Sequence, residues 1–598
     1  MAGTAGYVVA TAGHVDHGKS TLVRALTGME PDRWAEERRR GLTIDLGFAW
    51  TALPSGREVA FVDVPGHERF LGNMLAGLGP APVVCFVVAA DEGWRAQSAD
   101  HRDAVAALGI EHGLIVVSRV DRAPGRVAEV LAQVREELAG TGLADAPAVA
   151  VSAVAGTGLG ELRSALDGVL AALPVPDTSG RVRLWVDRSF TITGAGTVVT
   201  GTLTAGTLAV GDALELEGRG GVRTVTVRGL QSHGRTHTTL GPVRRVALNL
   251  RGIPADEVHR GDVLATPGGW AVTAAVDVRR VSGDIAHTPE WLTVHVGTAA
   301  VPARLRPFGD DHARVILGRA LPLIAGDRVV LRDPGTRRIV GGAMILDADP
   351  PVLRRRGDGA RRSSALAAQD GGDARVEVTR RGAVEREHLV RLGIPADSPP
   401  DGVRSVGRWW VSDATFATWQ TRLRTAVMEL HERDPLAAGM SRGACADVLD
   451  LPDTALLDDV ARAAGLESEG GVLSVPGHRD VLGPAEGAVA ELERRLRAEP
   501  FAAPEADELA ALRLGARELA AAERAGRILR LRDGVVLLPT APALAMRELA
   551  SLPQPFTTSA ARQALGTTRR VAIPLLEHLD SRGWTRRIDG GHREVTRR

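Results

Sequence analysis

The sequence is poor in cysteine and has no long apolar run. Cys85 and Cys445 are its two cysteines, too few for a disulfide scaffold or a cysteine-rich zinc module. The longest apolar run, over residues 81–90, is about ten residues long and too short to cross a bilayer. The first residues lack the basic segment and apolar core of a secretory signal. We therefore expect a cytoplasmic protein that does not enter a membrane.

Net charge and lysine are also nearly absent. The 73 basic and 73 acidic residues cancel, so the whole-chain charge favours no class of partner. Lys19 is the only lysine of the chain, because every other basic position is arginine. We infer that its site requires a compact ammonium group. The length of 598 residues predicts about four domains at about 150 residues each.

The single lysine lies in a glycine-rich loop that fits the pattern G-x-x-x-x-G-K-[ST]. A β-like run (residues 7–11) precedes the loop and a predicted helix (residues 21–27) follows it, which is the context that the motif requires. Backbone N–H groups of such a loop wrap phosphates, and a lysine there reaches the β- and γ-phosphates. The predicted nucleotide-binding residues of the loop are Gly13, His14, Val15, Asp16, His17, Gly18, Lys19, Ser20 and Thr21.

Two further segments predict a nucleotide-dependent switch. Asp63 ends an apolar strand (residues 59–62), where a carboxylate can hold Mg²⁺, and Gly66 can donate its N–H to the γ-phosphate. Upstream, Thr43 can complete the Mg²⁺ shell only when a γ-phosphate is present, which would order its loop. The predicted magnesium ligands are Ser20, Thr43 and Asp63.

A base-reading segment, Ser118-Arg119-Val120-Asp121, follows the apolar strand at residues 113–117. The carboxylate of Asp121 fits the two adjacent N–H donors of guanine. GTPases usually carry Asn-Lys-x-Asp here; Arg119 can still cover the base, but Ser118 lacks the amide that ties this loop to the phosphate loop. A second contact with the base is predicted from the pair Ser152 and Ala153.

With these motifs, the chain resembles the translational GTPases, and within them the selenocysteine-specific elongation factor family, SelB. The resemblance covers nearly the whole chain and implies that GTP and Mg²⁺ are bound. It also implies that His67 orients the attacking water against the γ-phosphate. The stretches that carry it are residues 13–21 (GHVDHGKST), 41–47 (GLTIDLG), 63–77 (DVPGHERFLGNMLAG) and 187–202 (DRSFTITGAGTVVTGT).

Beyond a P-loop GTPase domain at residues 1–175, short strands alternate with glycine-rich turns, which predicts two all-β units at residues 176–270 and 271–352. They resemble the two β-barrels of the family, the first of which holds the aminoacyl end of the tRNA. Asp187, Arg188 and Arg245 match the positions that the family uses around the amino acid.

The physical case for these arginines is the charge of selenocysteine. A selenol is more acidic than a cysteine thiol, whose pKa is about 8.5, so it is anionic at neutral pH. Arginines would therefore favour it over the neutral hydroxyl of serine. The alternative interpretation is an ordinary ion pair on the rim of a barrel.

The C-terminal part is predicted to be an array of winged helices. Hairpin-like elements centre on glycines at intervals of about 60 residues, which is a repeat signature. Residues 353–374, with the run at 354–356 of three arginines, are interpreted as a solvated linker. The hairpins centre on Gly407, Gly471, Gly534 and Gly591, and the predicted modules are residues 375–419, 420–480, 481–542 and 543–598.

Charge distinguishes the last module from its neighbours. Residues 551–598 contain nine arginines against four acidic groups, whereas residues 420–478 contain five against ten and residues 482–541 nine against ten. We therefore expect only the last module to bind phosphate groups, beside the N-terminus of a predicted helix at residues 571–579. The predicted RNA-binding residues are Arg569, Arg570, Arg586 and Arg587.

The predicted fold is thus multidomain: an α/β P-loop GTPase domain, two β-barrels and a tandem array of winged-helix (α+β) modules. The predicted function is delivery of selenocysteinyl-tRNA to the ribosome at UGA codons marked by an mRNA hairpin (SECIS), with GTP hydrolysis on decoding, by a monomeric chain. One alternative is a general elongation or initiation factor, or a sulfate-activating GTPase, on the same core. Another is a winged-helix nucleic-acid-binding regulator with a decayed GTPase, against which the intact set of Lys19, Thr43, Asp63 and His67 argues.

Overall fold

The computed structural model describes residues 6–31, 43–478 and 481–596. Contacts between residues divide the chain into two units, residues 1–377 with 385–398, and residues 378–384 with 399–598. Residues 41–42 of the predicted switch stretch and the last two arginines of the chain lie outside the described residues. Among the described helices, none is both long and apolar enough to cross a membrane.

The first domain is an α/β fold, as predicted. Its sheet has the order β2-β3-β1-β4-β5-β6 and is parallel except for β2, and buried clusters lie on both faces. All seven residues of β4 are buried, because helices cover both faces of such a sheet. The elements are β1 (Gly6–Ala12), α1 (Lys19–Thr27), β2 (Gly47–Ala52), β3 (Glu58–Asp63), α2 (Leu71–Leu78), β4 (Val83–Ala89), α3 (Ala96–Leu108), β5 (His112–Ser118), α4 (Val127–Leu138), β6 (Ala148–Ala150) and α5 (Leu159–Ala171).

The strand order places the predicted nucleotide-binding loops side by side. The phosphate loop follows β1, Asp63 ends β3, Ser118 ends β5 and Ser152 follows β6. These strands are parallel, so their carboxyl ends meet at one edge of the sheet, where ligands bind in open α/β folds.

The first barrel is a seven-stranded antiparallel sheet of order β10-β15-β7-β8-β14-β11-β12, which closes because β10 also pairs with β11. Residues of β14 alternate between buried and partly exposed, the period-2 pattern of a strand with one face on a core. The strands are β7 (Arg183–Ile192), β8 (Gly196–Leu203), β9 (Leu208–Ala209), β10 (Ala213–Gly218), β11 (Gly221–Ser232), β12 (Arg235–His237), β13 (Thr239–Leu240), β14 (Arg244–Arg251) and β15 (Val263–Ala265).

The second barrel is closed, with the strand order β16-β19-β18-β17-β20-β21. Along β18 buried and exposed residues alternate over residues 299–306, which confirms the all-β prediction for this part of the chain. The strands are β16 (Val272–Gly283), β17 (Trp291–Val296), β18 (Ala299–Pro307), β19 (His312–Pro322), β20 (Arg328–Arg332) and β21 (Ile339–Asp347).

The segment predicted to be a solvated linker contains a helix, α6 (Asp358–Ala367), that is fixed to the second barrel. The guanidinium of Arg362 is buried and lies 2.6 Å from Asp277 and 2.5 Å from Asp347. Arg314 donates to the same Asp277 carboxylate at 2.7 Å. The linker interpretation was therefore wrong for α6: composition did not reveal the buried partners of Arg362, although the three arginines at residues 354–356 are exposed.

The first predicted winged helix does not form one separate module. Its residues 385–398 belong to the first unit, where the Arg391 carbonyl oxygen accepts a hydrogen bond from the Ala271 amide at 3.2 Å. A hairpin turning at Gly407 is present as predicted, in a three-stranded sheet of order β22-β24-β23. The elements are α7 (Ala374–Arg381), β22 (Ala383–Glu385), α8 (Arg386–Arg391), β23 (Val403–Val406) and β24 (Trp409–Ser412).

The second module begins with a long helix that crosses the predicted boundary between residues 419 and 420. Its core combines this helix with two shorter helices and a three-stranded sheet of order β25-β27-β26. The predicted boundary was wrong because the first and second modules share this helix. The elements are α9 (Asp413–Arg433), β25 (Met440–Ser441), α10 (Arg442–Leu449), α11 (Leu457–Ala463), β26 (Glu467–Glu469) and β27 (Val472–Ser474).

The last two modules share a single hydrophobic core. One buried cluster extends from Leu482 to Leu579 and takes in side chains of both modules. The hairpins at Gly534 and Gly591 are both present, but the fourth module packs on the third. The elements are α12 (Glu486–Ala498), α13 (Ala506–Ala511), α14 (Ala516–Arg524), β28 (Leu529–Arg530), β29 (Val536–Leu537), α15 (Ala541–Ala550), β30 (Phe556–Thr557), α16 (Thr558–Ala564), α17 (Arg569–Ser581), β31 (Thr585–Arg587) and β32 (His592–Val595).

Candidate functional site

The glycine-rich loop turns between β1 and α1 in a conformation that favours glycine. Gly13 has a φ of 128° and Gly18 a φ of 82°, and a Cβ on Gly13 would lie 2.1 Å from the carbonyl oxygen of Val87. The Nζ of Lys19 donates to the carbonyl oxygens of Gly13 at 2.9 Å and His14 at 2.8 Å. The ammonium therefore lies inside the loop, where the phosphate-binding pattern requires it.

The three predicted magnesium ligands converge. The Oγ of Ser20 lies 3.0 Å from the Oγ1 of Thr43, and Asp63 is fully buried beside them. One oxygen of Asp63 accepts a hydrogen bond from Thr11 at 2.7 Å, and the other is buried with no hydrogen-bond partner among the described residues. Burial raises the pKa of Asp63, and the positive charge of Lys19 opposes that rise. Two hydroxyls and a buried carboxylate form the hard oxygen set that Mg²⁺ prefers.

Gly66 lies directly against the phosphate loop, and His67 follows it in the chain. A Cβ on Gly66 would lie 2.5 Å from both the Nζ of Lys19 and the amide nitrogen of Val15, so no larger residue fits. His67 caps the 3₁₀ turn Glu68–Phe70, and its Nδ1 accepts a hydrogen bond from the Arg69 amide at 3.2 Å. This acceptor role leaves Nε2 as the protonated nitrogen of a neutral ring.

Ser118 ties the base-reading loop to the phosphate loop. The sequence predicts that this tie is missing, because Ser118 stands where GTPases usually have an asparagine. Its hydroxyl is buried and donates to the carbonyl oxygen of His17 at 2.7 Å. Arg119 adds a second tie, because its guanidinium bonds the Asp16 carbonyl oxygen and pairs with Glu92 at 2.9 Å. The expectation of a missing tie was wrong: a shorter hydroxyl reaches a nearer acceptor.

Asp121 is exposed at the same edge of the sheet, and Ser152 is buried beside it. A hydrogen bond from the Ser152 side chain holds the pKa of Asp121 below its usual range, so its carboxylate is ionised at neutral pH. Ala153 follows in the same loop, which Ser152 fixes by accepting a hydrogen bond from the Ala155 amide at 3.1 Å. The predicted base-reading groups are therefore brought together.

The two histidines of the phosphate loop, His14 and His17, pack against each other, and their role is structural. The rings of His14 and His17 lie edge to face at 5.0 Å between centroids, and His17 is fully buried with its Nδ1 3.3 Å from the Val87 carbonyl oxygen. Burial lowers the pKa of His17 to about 3. His17 is therefore neutral and packs the loop, and the positive charge there comes from Lys19.

A cluster of charged side chains lies where the first barrel meets β2. Asp187 is buried, pairs with Arg245 through both carboxylate oxygens and accepts a hydrogen bond from Thr200 at 2.5 Å. Arg188 bonds the Asp45 carboxylate at 3.3 Å and the Leu46 carbonyl oxygen. The three predicted residues are thus brought together, and two of them contact each other directly.

Sequence reasoning missed three residues of this cluster. Arg260 bonds Asp45 at 2.6 Å and the Asp187 carbonyl oxygen at 2.9 Å, and the ring of Phe48 lies 3.7 Å from the Arg245 guanidinium. Asp45 lies inside the GLTIDLG stretch and could have been found there, whereas Arg260 has no local signal. A cavity of about 250 Å³ opens beside these groups. Its lining includes Phe48, Trp50, Arg188, Phe190, His233 and Arg245.

Of the predicted RNA-binding arginines at the start of α17, Arg569 is exposed and Arg570 is not free. The Arg570 guanidinium bonds the Ala503 carbonyl oxygen at 2.9 Å and the Glu505 carboxylate at 3.1 Å. It therefore ties the last module to the third one.

In the last hairpin, Arg586 pairs with Glu594, and Arg587 bonds the Asp589 carbonyl oxygen at 3.0 Å, although both arginines remain exposed. Among these four arginines, Arg569 alone has no recorded bond to another described residue. Both Arg569 and Arg570 were predicted to be main phosphate contacts, and RNA binding by these residues stays a prediction. The geometry adds that the Arg570 guanidinium is already bonded within the protein, whereas Arg569 is exposed.

The phosphate loop, the ordered switch residues and the barrel that follows define a class of protein. Residues 7–172 match the family described as elongation factor Tu GTP binding domain, and residues 196–265 match elongation factor Tu domain 2. The chain is a translational GTPase that binds GTP.

The rest of the chain specifies which one. Residues 281–352 match the beta-barrel domain of selenocysteine-specific elongation factor, and residues 547–593 match the winged helix of elongation factor SelB. The selenocysteine-specific elongation factor of Escherichia coli (strain K12) is 32% identical over 98% of this chain and 98% of its own length. That of Desulfomicrobium baculatum is 30% identical over 99% and 100%. The chain belongs to the selenocysteine-specific elongation factor family.

Solved structures agree in fold. The crystal structure of a bacterial selenocysteine-specific elongation factor, EF-Sec, superposes with a TM-score of 0.78 at 24% identity, covering 99% of this chain and 100% of that one. Elongation factor SelB from Methanococcus maripaludis, in complex with the GTP analogue GppNHp, gives a TM-score of 0.51 over 58% of this chain and 80% of its own.

Proposed function

We propose that this chain carries selenocysteinyl-tRNA to the ribosome in its GTP-bound form and hydrolyses GTP on decoding at UGA codons marked by an mRNA hairpin. The observation that carries the proposal is the arginine cluster beside the cavity between the first barrel and β2. Arg188 and Arg260 of that cluster both donate to the carboxylate of Asp45, which lies two residues beyond Thr43. The nucleotide site and the proposed amino-acid pocket are thus joined by one short segment.

The nucleotide site would hold Mg²⁺ through Ser20, Thr43 and Asp63. When bound, the ion neutralises charge on the β- and γ-phosphates. Lys19 adds a fixed positive charge, because its ammonium lies within 3 Å of two loop carbonyl oxygens. Gly66 is small enough for its N–H to approach the γ-phosphate.

His67 is proposed to position the attacking water. Its Nδ1 is occupied by the Arg69 amide, so Nε2–H is the group that can point toward substrate. A donor in this place orients water and stabilises developing charge, which is most of what phosphoryl transfer asks of a protein.

The amino-acid pocket is proposed to select selenocysteine by charge. Arg188, Arg245 and Arg260 bring three guanidinium groups together around the carboxylates of Asp45 and Asp187. A selenolate at the adjacent cavity would be attracted by these guanidinium groups, whereas the neutral hydroxyl of serine would not. The side chains of Arg188 and Arg245 are mostly withdrawn from water, 17% and 12% exposed, which strengthens the discrimination.

The last module is proposed to bind the mRNA hairpin through Arg569 at the N-terminus of α17, with Arg586 and Arg587 in the adjacent hairpin. Helix N-termini and arginines both favour phosphate. Sequence-specific RNA readers usually bind unstacked loop bases, so we expect the loop of the hairpin to matter more than its stem.

The test uses the full chain and one tRNA charged with either selenocysteine or serine. We expect tight binding of selenocysteinyl-tRNA with a non-hydrolysable GTP analogue, and weak binding of seryl-tRNA under the same conditions. Equal affinity for the two aminoacyl forms would contradict the proposal and favour a general elongation factor. Binding of hairpin RNA with no effect of GTP on any tRNA would favour the regulator alternative.

A further inference from the structure

The segment between Thr43 and β2 contacts both proposed sites. At its first residue, the hydroxyl of Thr43 lies 3.0 Å from that of Ser20 in the nucleotide site. Two residues later, the Asp45 carboxylate bonds Arg188 and Arg260 of the first barrel. One residue, Ile44, separates Thr43 from Asp45 in the chain.

Asp45 is one member of a ring of hydrogen bonds that also includes Arg260, Asn73 and Ile44. Arg260 bonds Asp45 at 2.6 Å and Asn73 at 2.7 Å, and Asn73 in turn donates to the carbonyl oxygen of Ile44 at 2.9 Å. The ring therefore joins the segment, α2 and the first barrel. A displacement of the segment breaks several of these bonds at once.

The same ring reaches the proposed selenocysteine pocket. Arg260 also donates to the backbone carbonyl oxygen of Asp187 at 2.9 Å, directly before Arg188. Arg188 is fixed by Asp45 and by the Leu46 carbonyl oxygen, and its guanidinium lies 4.8 Å from the ring of Phe48 in β2. The position of Arg188 thus depends on the segment that carries Thr43.

Asp45 holds the two arginines through different oxygens of its carboxylate. One oxygen accepts a hydrogen bond from Arg260 at 2.6 Å, and the other accepts a hydrogen bond from Arg188 at 3.3 Å. The single side chain of Asp45 therefore fixes two guanidinium groups at once.

We propose that Asp45 is a positioning residue that couples the nucleotide state to the aminoacyl pocket: with GTP bound, Thr43 fixes the segment, and Asp45 then holds Arg188 and Arg260 in place to receive the selenolate. This inference rests on the proposed function, because the pocket is the one assigned above to selenocysteine. After hydrolysis the γ-phosphate is no longer present, so Thr43 no longer fixes the segment. Asp45 then leaves the ring, and Arg188 and Arg260 lose the geometry that binds the amino acid.

Thermodynamic linkage gives the inference a measurable form. If GTP strengthens tRNA binding through Asp45, then tRNA must strengthen GTP binding, relative to GDP, by the same factor. Coupling of this kind typically amounts to about 5- to 150-fold. A residue that only supports the fold would weaken binding in both nucleotide states and leave the ratio unchanged.

The experiment measures the Kd of selenocysteinyl-tRNA for the full chain with a GTP analogue and with GDP. Asp45→Ala and Arg260→Gln are compared with the natural chain, and Asp45→Asn serves as a variant of nearly the same shape. The control is Asp167→Ala, which removes another ion-paired carboxylate of the same domain, bonded to Arg57 at 2.7 Å. Nucleotide affinity without tRNA is measured in parallel.

The coupling is measured as the Kd with GDP divided by the Kd with the GTP analogue. We expect this ratio to fall at least about fivefold in Asp45→Ala and Arg260→Gln. The fall should be smaller in Asp45→Asn, and Asp167→Ala should show none. GDP affinity without tRNA should be unchanged, because Asp45 has left the ring in that state. An unchanged ratio, or an equal loss of affinity in both nucleotide states, overturns the inference. If the natural chain itself does not prefer selenocysteinyl-tRNA, the proposed function fails instead, and the two failures are distinguishable.

Discussion

The hydroxyl of Ser118 donates a 2.7 Å hydrogen bond to the carbonyl oxygen of His17, and so ties the base-reading loop to the phosphate loop. Both residues are almost fully buried, so water does not compete for this bond. GTPases usually make this tie with an asparagine amide. In this chain a shorter side chain makes it, which accounts for a base-reading segment that departs from the usual pattern yet keeps Asp121 in place.

Ser118→Ala should weaken GTP and GDP binding about tenfold. The change leaves the buried His17 carbonyl oxygen without that donor, a loss of about 1–3 kcal/mol. Ser364→Ala is a suitable control, because its hydroxyl bonds only the Ala360 carbonyl oxygen within an exposed turn of α6. Equilibrium titration with a fluorescent nucleotide checks this; unaltered affinity in Ser118→Ala would show that the tie carries no binding energy.

His67→Ala should bind GTP normally and hydrolyse it on the ribosome about 10²-fold more slowly or worse, as expected for the loss of a positioned donor. His67→Gln, which keeps an N–H donor, should retain part of the rate. The exposed His287, paired with Asp284 in the second barrel, provides the control substitution to Ala. Single-turnover hydrolysis separates the chemical step from binding. A full rate in His67→Ala would remove this residue from the mechanism.

Arg245→Ala should reduce the preference for selenocysteinyl-tRNA over seryl-tRNA by about 10- to 100-fold, because one charged hydrogen bond is worth about 1.5–3 kcal/mol. Arg245→Lys keeps the charge but not the two-oxygen pairing with Asp187, so an intermediate preference is expected. The exposed Arg235 on β12 is the control. Both aminoacyl forms are titrated, and thermal unfolding shows whether Asp187 tolerates losing its partner.

Arg569→Ala should weaken hairpin binding and lower the salt dependence by about 0.7–0.9 log units per log unit of salt, the signature of one lost phosphate contact. Arg570→Ala should instead lower stability, because Arg570 bonds the third module at Ala503 and Glu505. The two neighbouring arginines are therefore each other's control. Filter binding of the full chain across a salt series distinguishes them; identical slopes for all three proteins would exclude Arg569 as a contact.

Acid should loosen α9 through a histidine pair. The rings of His431 and His478 stack at 3.4 Å between centroids, and burial, with the charge of His478, lowers the pKa of His431 to about 4. The His431 ring takes up a proton near pH 6.5 in the unfolded chain and near pH 4 in the folded chain. Stability is therefore full above pH 6.5 and declines as the pH falls toward 4, by at most about 1.4 kcal/mol per pH unit.

Hydrogen exchange of peptides from Asp413–Arg433 in the full chain, measured between pH 7 and 4 and corrected for intrinsic rates, tests this decline. His431→Phe should flatten the pH dependence, while the same change at the exposed His287 should not. A decline that persists unaltered in His431→Phe would assign the acid sensitivity to other groups.

Much of the nucleotide site could be read from the sequence because it is local. The loop from Gly13 to Ser20, the carboxylate at Asp63 and the pair Ser152 and Ala153 each follow a strand, and parallel strands bring their carboxyl ends together. The single lysine pointed to the same place. The hairpins at Gly407, Gly471, Gly534 and Gly591 were also predictable, since each tight turn is marked by residues next to one another in the chain.

The contacts between residues far apart in the sequence became known only from the tertiary structure. Arg362 pairs with Asp277 and Asp347, which composition did not reveal, so its segment was predicted to be a linker. Arg570 bonds Ala503 and Glu505, which composition did not reveal either, so it was predicted to be a phosphate contact. The shared core of the last two modules likewise has no local signal.

The sequence by itself therefore determined the class of protein, the nucleotide chemistry and the order of the domains, because motifs and strand periodicity act over a few residues. Only the tertiary structure decided which arginines are free and which are paired. Asp45 meets Arg260 across 215 residues of chain, and Ser118 meets His17 across 101. A guanidinium group is bonded within the protein where the fold places an acceptor within about 3 Å of it, and it is available to bind a ligand where the fold does not.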